Sequence, residues 1–189
     1  MNFLLDLDRW LLLRINQDWT LPFFDSFFPA LTDFNKSPIF IFLFLPAFII
    51  LILWKMRKDG MILIMTLFLS LAATDFLCGK IIKPWVGRLR PSFDGVEVVL
   101  RTPIFGQLSL PSNHAANIFC AATVLSSYFP KAKYLFFIIA ILVAYSRSYV
   151  GVHYPIDWIV GGIVGTVIAM IGLKAKNSLL KHYGQGLSL

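Results

Sequence analysis

The stretch Ser146-Arg-Ser-Tyr-Val-Gly-Val-His-Tyr-Pro-Ile-Asp157 sets an arginine, a histidine and an aspartate between two apolar runs, 134–145 and 159–173. His153 and Asp157 are four residues apart, with Pro155 between them. Proline suits the first turn of a helix, where its missing N–H costs nothing. Asp157 is therefore expected in the first turn of the last helix, with His153 just ahead of it. From there the carboxylate can reach back to one imidazole nitrogen and fix the tautomer. The other nitrogen is then a lone pair, able to act as a nucleophile or as a base. Arg147 adds a planar fork suited to phosphate or carboxylate. The same side chains also read as interfacial polar groups that cap helices.

Two further polar clusters precede this one. Lys83-Pro-Trp-Val-Gly-Arg-Leu-Arg90-Pro91 lies in the long polar connection 83–110, and Pro111-Ser112-Asn113-His114 opens an apolar run. Ser112, Asn113 and His114 thus sit at a helix N-terminus, where free backbone N–H groups and the helix dipole favour an anion. Lys83, Arg90 and Arg147 add three cations and Ser112 a hydroxyl donor. Such a pocket suits a phosphoryl group with charge spread over three oxygens. Of two histidines in it, one can attack and the other can protonate a leaving oxygen.

The elements that must position these groups are membrane helices. Of 189 residues, 58% are hydrophobic, 15% aromatic and only 14% charged. The apolar residues come in long runs, which is the pattern of a polytopic membrane protein. The length suits one domain, residues 1–189. The formal net charge of +7 reports topology and lipid contact, and no nucleic-acid-binding motif is present. Cys78 and Cys120 fall in apolar runs and read as buried, inert thiols.

Residues 2–19 read as an amphipathic helix lying in the membrane interface, with Phe3, Leu4, Leu7, Trp10, Leu11 and Ile15 at helical spacing. No signal peptide is apparent. Residues 21–34 read as a short interfacial helix or re-entrant turn. Spans are expected over 39–54, kinked at Pro46, and over 61–82, 112–129, 134–145 and 159–173. The fold class is all-α: a bundle of about five transmembrane helices plus the interfacial helix. Gly161, Gly162 and Gly165 suit close helix packing. Asp75 inside the second span is a functional candidate by its cost in lipid, and equally a cap or a bundle-facing hydrogen bond. Arg88 reads as a head-group contact or an interface anchor, Arg101 has no assigned place, and His182 in the basic tail lies apart from the clusters. The basic segments 55–58, 131–133 and 174–181 share one face, expected to be cytoplasmic. The three polar clusters share the other.

The ordered clusters resemble the type 2 phosphatidic acid phosphatase superfamily, whose motifs are Lys-x6-Arg-Pro, Pro-Ser-Gly-His and Ser-Arg-x5-His-x3-Asp. Residues 83–91, 111–114 and 146–157 match them, except that Asn113 stands in place of glycine. If that glycine has a positive φ, asparagine is well able to copy it. The resemblance implies that His153 is a nucleophile forming a phosphohistidine, that Asp157 orients it, and that His114 is general acid and then base. It implies that Lys83, Arg90, Ser112, Arg147 and the Asn113 N–H hold the phosphate; with three histidines and no carboxylate cluster near the pocket, no metal site and no cofactor are expected. It further implies a lipid phosphate as substrate, undecaprenyl diphosphate first and lipid A 1-phosphate close behind, with phosphatidylglycerol phosphate and phosphatidic acid also in range. The site would face the outer side of a cytoplasmic membrane, among membrane lipids. Relatives that hold vanadate and oxidise halides are soluble and much longer. A non-enzymatic anion carrier could use the same basic vestibule, but five spans without an internal repeat fit the usual transporter plan poorly.

Overall fold

The computed structural model describes residues 3–186. Asn2 of the expected first helix and residues 187–189 of the basic tail lie outside the described residues. Among the described residues the protein is helical, with one isolated antiparallel bridge between Leu89 and Leu108. Helix α1 (Phe3–Leu13) runs into a wide turn, Arg14–Asp18, and is followed by α2 (Pro22–Asp33). Then come α3 (Leu45–Phe76), the short α4 (Lys83–Val86), α5 (Asn113–Tyr128), α6 (Lys133–Tyr149) and α7 (Pro155–Gly186).

Among the described residues, three segments are long and apolar enough to cross a membrane: Phe40–Val86, Pro130–Tyr149 and Pro155–His182. The first folds back on itself. At Arg57 the backbone takes φ 51° and ψ −116°, and the Ile52 carbonyl oxygen lies 2.6 Å from where a Cβ on Gly60 would stand. The first two expected spans are thus the arms of an antiparallel hairpin. With α5, 16 residues long, the described bundle has five helices.

Both prolines in the hairpin follow widened turns. Phe40–Phe44 precedes Pro46, and Leu77–Ile82 precedes Pro84. Proline lacks an N–H and crowds the carbonyl four residues back; a wider turn moves that carbonyl aside. The helix therefore continues past residue 82, where the sequence suggests its end. Lys83 belongs to the helix rather than to the connection, and Gly87, at φ 68°, closes it with its N–H on the Lys83 carbonyl at 2.9 Å. Asp75 accordingly lies well inside the helix, not near its end.

Large apolar side chains cover the outside: Phe42 is 79% exposed and Trp54 78%. Lipid is the solvent that makes this surface stable. The interior holds a cluster of Ile52, Leu63, Cys120, Val124 and Ala169, and Cys78 and Cys120 are free and buried.

Helix α7 presses on α5 through glycines. A Cβ on Gly165 would stand 1.9 Å from the Ala116 carbonyl oxygen, and one on Gly161 2.5 Å from the Ser112 carbonyl oxygen. One on Gly162 would meet only the Phe119 ring, at 3.2 Å. This approach sets the N-terminus of α5 beside that of α7, and Ser112 N–H donates to the Asp157 carbonyl at 2.9 Å. Gly165→Ala must push one backbone off another, at a cost of about 1–3 kcal/mol. Thermal unfolding in detergent should show a clearly lowered Tm for Gly165→Ala and a smaller change for Gly162→Ala, where a ring can shift.

Candidate active site

Helix α7 begins at Pro155, with His153 in the turn before it and Asp157 in its first turn. Asp157 Oδ2 accepts the Tyr154 N–H at 2.9 Å and lies 3.2 Å from His153 Nδ1. His153 Nε2 lies 3.1 Å from Nη1 of Arg90. A carboxylate can only accept and a guanidinium can only donate. The two contacts together put the proton on Nδ1 and the lone pair on Nε2. His153 is 1% exposed. Burial, then the charges of Arg90, Arg147, Lys83 and His114, hold its pKa well below the ordinary histidine value. The ring is therefore neutral well into the acid range.

The cations come from three elements. Arg90 is fixed by the carbonyls of Gly106 and Val152, each at 3.0 Å, and of Phe105 at 3.2 Å. Burial lowers its pKa. Lys83, on α4, donates to the carbonyls of Ser109 at 3.0 Å and Leu108 at 3.3 Å. Arg147, at the end of α6, donates through Nη1 to the Thr32 hydroxyl of α2, and its Nε is buried without a partner. Ser112 Oγ and His114 Nε2 are also buried without partners. Asn113 Oδ1 is buried without a partner as well, so four of the expected site residues carry polar atoms with bonding capacity to spare for a polar ligand.

Asn113 departs from the expected backbone. It is the first residue of α5, and Arg57 is the one non-glycine residue with positive φ among those described. The asparagine therefore does not copy a left-handed glycine. Its side chain instead turns toward α3, where Nδ2 donates to Asp75 at 2.9 Å; Asn117 Nδ2 follows at 3.4 Å. Asp75 is thus a hydrogen-bond acceptor between helices.

Arg88, read from the sequence as a head-group contact or an interface anchor, is held by two carboxylates inside the protein. Its guanidinium donates to Asp157 Oδ1 at 2.9 Å and to Asp8 Oδ2 at 2.6 Å. It covers the Tyr154 ring at 4.0 Å. Arg101 also finds a place, donating to Asp25 at 2.8 Å and to the carbonyls of Asn16 and Tyr149. Asp25 accepts the Tyr149 hydroxyl as well, and that bond, with the Arg101 charge, holds its pKa below the usual carboxylate value. A cleft of about 720 Å³ is lined by Arg9, Arg88, Asp94 and Tyr154, but not by His153 or Asp157.

The PAP2 superfamily model matches residues 60–179, well over half of the chain. The chain belongs to the PAP2 superfamily. It is 32% identical over 172 residues to a lipid A 4'-phosphatase of Bacteroides thetaiotaomicron, covering 87% of this chain and 75% of that one. It is 30% identical to an undecaprenyl-diphosphatase of Sulfolobus acidocaldarius, covering 72% of this chain and 65% of that one. Among solved structures, Aquifex aeolicus LpxE superposes with TM-score 0.66 at 31% identity, over 87% of this chain and 93% of that one. A Bacillus subtilis PAP2-type phosphatidylglycerolphosphate phosphatase shares the fold, with TM-score 0.71 at 20% identity.

The PAP2 match begins at residue 60, and what lies before it braces the polar ends. Asn16 is fully buried. Its Nδ2 donates to the carbonyls of Val99 at 2.9 Å and Tyr149 at 2.8 Å, and its Oδ1 accepts the Val99 N–H at 2.8 Å. Sequence reasoning missed Asn16, Thr32 and Asp8, because polar residues in an interfacial helix carry no mark of which face they occupy. Asn16→Ala should strand buried backbone groups at about 1–3 kcal/mol, lowering the Tm in detergent. Asn16→Asp should be at least as damaging, since its carboxylate faces two carbonyls.

Proposed function

We propose that this PAP2 chain is a membrane lipid phosphatase that passes phosphate from a lipid to His153 and then to water. The observation that carries the reading is the His153 ring. Its proton is held by Asp157, and its lone pair points to the buried cation Arg90. In the first step Nε2 attacks phosphorus, the phosphorus–oxygen bond to the lipid breaks, and His114 gives its proton to the leaving oxygen. In the second, water attacks the phosphohistidine and His114 takes its proton. The phosphorus–nitrogen bond then breaks, returning the electron pair to Nε2. Lys83, Arg90 and Arg147, with Ser112 and the Asn113 N–H, hold the phosphoryl oxygens throughout.

The substrate is a lipid monophosphate or diphosphate. The relatives named for lipid A phosphate cover 87% and 89% of the chain, against 72% for the undecaprenyl-diphosphatase. On that support we put a lipid A phosphate first and undecaprenyl diphosphate, the first choice by its frequency in the family, second. The basic turns at the opposite ends of the helices support a site on the outer side of a cytoplasmic membrane. Phosphate release from a panel of lipid phosphates in detergent tests the reading directly. Release from at least one lipid, abolished in His153→Ala, is the expected result; anion uptake without hydrolysis contradicts it.

The histidines should separate by leaving group. General acid catalysis is worth roughly 10²–10⁴-fold. His114→Ala should lose most of that on an alkyl phosphate and much less on nitrophenyl phosphate, whose leaving group needs no proton. Rapid quenching of His114→Ala with labelled nitrophenyl phosphate should trap an acid-labile, base-stable adduct on His153. An adduct in His153→Ala would reverse the assignment.

Two buried arginines, Arg90 and Arg147, and the half-buried Lys83 take the role that metal ions play in other phosphoryl-transfer sites. Hydrolysis should persist in EDTA and need no added magnesium. Loss in EDTA with recovery on one metal is the contrary outcome.

A further inference from the structure

Two buried carboxylates share one guanidinium beside His153. The side chains of Asp8 and Asp157 are both 0% exposed, and that of Arg88 is 17% exposed. Each carboxylate is also pinned to the start of α7. Asp157 Oδ2 takes the Tyr154 N–H, and Asp8 Oδ1 takes the Ile156 N–H at 2.8 Å. Arg88 fills the gap between them, its Cζ 4.0 Å from the centre of the Tyr154 ring.

The charge balance of this trio bears on the ring it faces. An arginine paired with Asp157 alone would fix the carboxylate but cancel its charge. His153 would then carry the positive charge of a phosphorylated ring without a counter-ion, in a setting that already holds Arg90, Arg147 and Lys83. With Asp8 on its other side, Arg88 is shared, and the two carboxylates and one guanidinium keep one net negative charge.

We propose that Asp8, from the interfacial helix α1, is a positioning residue of the phosphatase reaction: it shares Arg88 with Asp157, so the guanidinium orients that carboxylate without neutralising it. The inference rests on the assignment of His153 as nucleophile given above. It makes α1 part of the active site rather than only a membrane anchor.

The test uses three variants of the full-length protein in detergent, Asp8→Asn, Arg88→Gln and the double variant, with one phosphate ester over a range of pH. The acid limb of kcat/KM reports the protonation of the coupled His153–Asp157 pair, each substitution acting on both members in the same sense, and the ionisation of the ester is common to all the proteins. The other groups facing the ring are Lys83 on α4, Arg90 in the connection, His114 on α5, Arg147 on α6 and Asp157 on α7, and they are unchanged. Removing a negative charge disfavours the protonated ring, and removing a positive charge favours it. The limb should move about one pH unit to lower pH in Asp8→Asn and about one unit to higher pH in Arg88→Gln. In the double variant it should return near the parent.

The plateau rate of Asp8→Asn should fall about ten-fold, the effect of about one unit of lost charge stabilisation, and recover in the double variant. A purely structural brace predicts losses of one sign that accumulate. An unshifted limb in Asp8→Asn, or limbs moving the same way in both single variants, overturns the proposal. Should Asp8→Asn not fold, Arg88→Gln and the double variant decide. A limb that rises in the first and returns in the second supports sharing, and equal limbs overturn it. His153→Ala in the same assay separates the levels. If it keeps parent turnover, both the function and the inference fall; if it is inactive while the Asp8 variants behave as the parent, only the inference falls.

Discussion

The buried N-terminus of α7 is the constraint on which the rest of the site depends. A helix that starts inside a protein leaves its first N–H groups without helical partners, and burial makes that costly. Here two carboxylates supply the acceptors, Asp157 for Tyr154 and Asp8 for Ile156. Buried carboxylates in turn need a cation, and Arg88 serves both. The oxygen of Asp157 that takes the Tyr154 N–H also meets His153 Nδ1. The orientation of the histidine thus follows from satisfying a helix end. The glycine contact of α7 on α5 brings Ser112, at the start of α5, against the first turns of α7, an approach that a side chain at 161 or 165 would block.

The N-terminal helices bury polar residues alongside apolar ones: Asp8 with Leu12 in α1, and Thr32 with Phe28 in α2. Helix α1 turns Phe3, Leu4, Leu5 and Trp10 outward and buries Asp8, with Asn16 buried in the turn that follows. Leu12 and Ile15 are buried too, and Asp6 and Arg9 stay outside; Asp8 and Asn16 are the polar residues that turn inward, onto backbone groups of α7, of the connection 87–110 and of the end of α6. That connection has almost no regular structure of its own. Arg101, Asn16 and Thr102 tie it to the helices at its side, the last through Asp33. A phosphate-binding loop of this kind gains rigidity from neighbours rather than from a ladder of its own.

Much of this was legible in the chain. The apolar runs placed the helices, Pro155 marked the start of α7, and the four-residue spacing put Asp157 next to His153. The glycine triplet foretold the tight helix contact. What was not legible depends on long-range pairing. Asp8 is one of several charges in an interfacial helix, and nothing local distinguishes it from Asp6, which lines an open cleft. Arg88 lies at a variable position of its motif, and its role requires knowing that α1 packs beside α7. Asn113 invited a backbone explanation, whereas the structure gives it a side-chain one, through Asp75. The end of the second span was misjudged because Pro84 suggests a stop, and a widened turn lets the helix pass it.

A structure of the protein with bound vanadate would test the central claim most directly. An oxyanion of that geometry imitates the five-coordinate state of phosphoryl transfer. The account predicts vanadium within bonding distance of His153 Nε2, oxygens on Lys83, Arg90, Arg147 and Ser112, and Asp157 still on Nδ1. Vanadate seated instead in the cleft beside Arg9 and Tyr154, with His153 untouched, would contradict it.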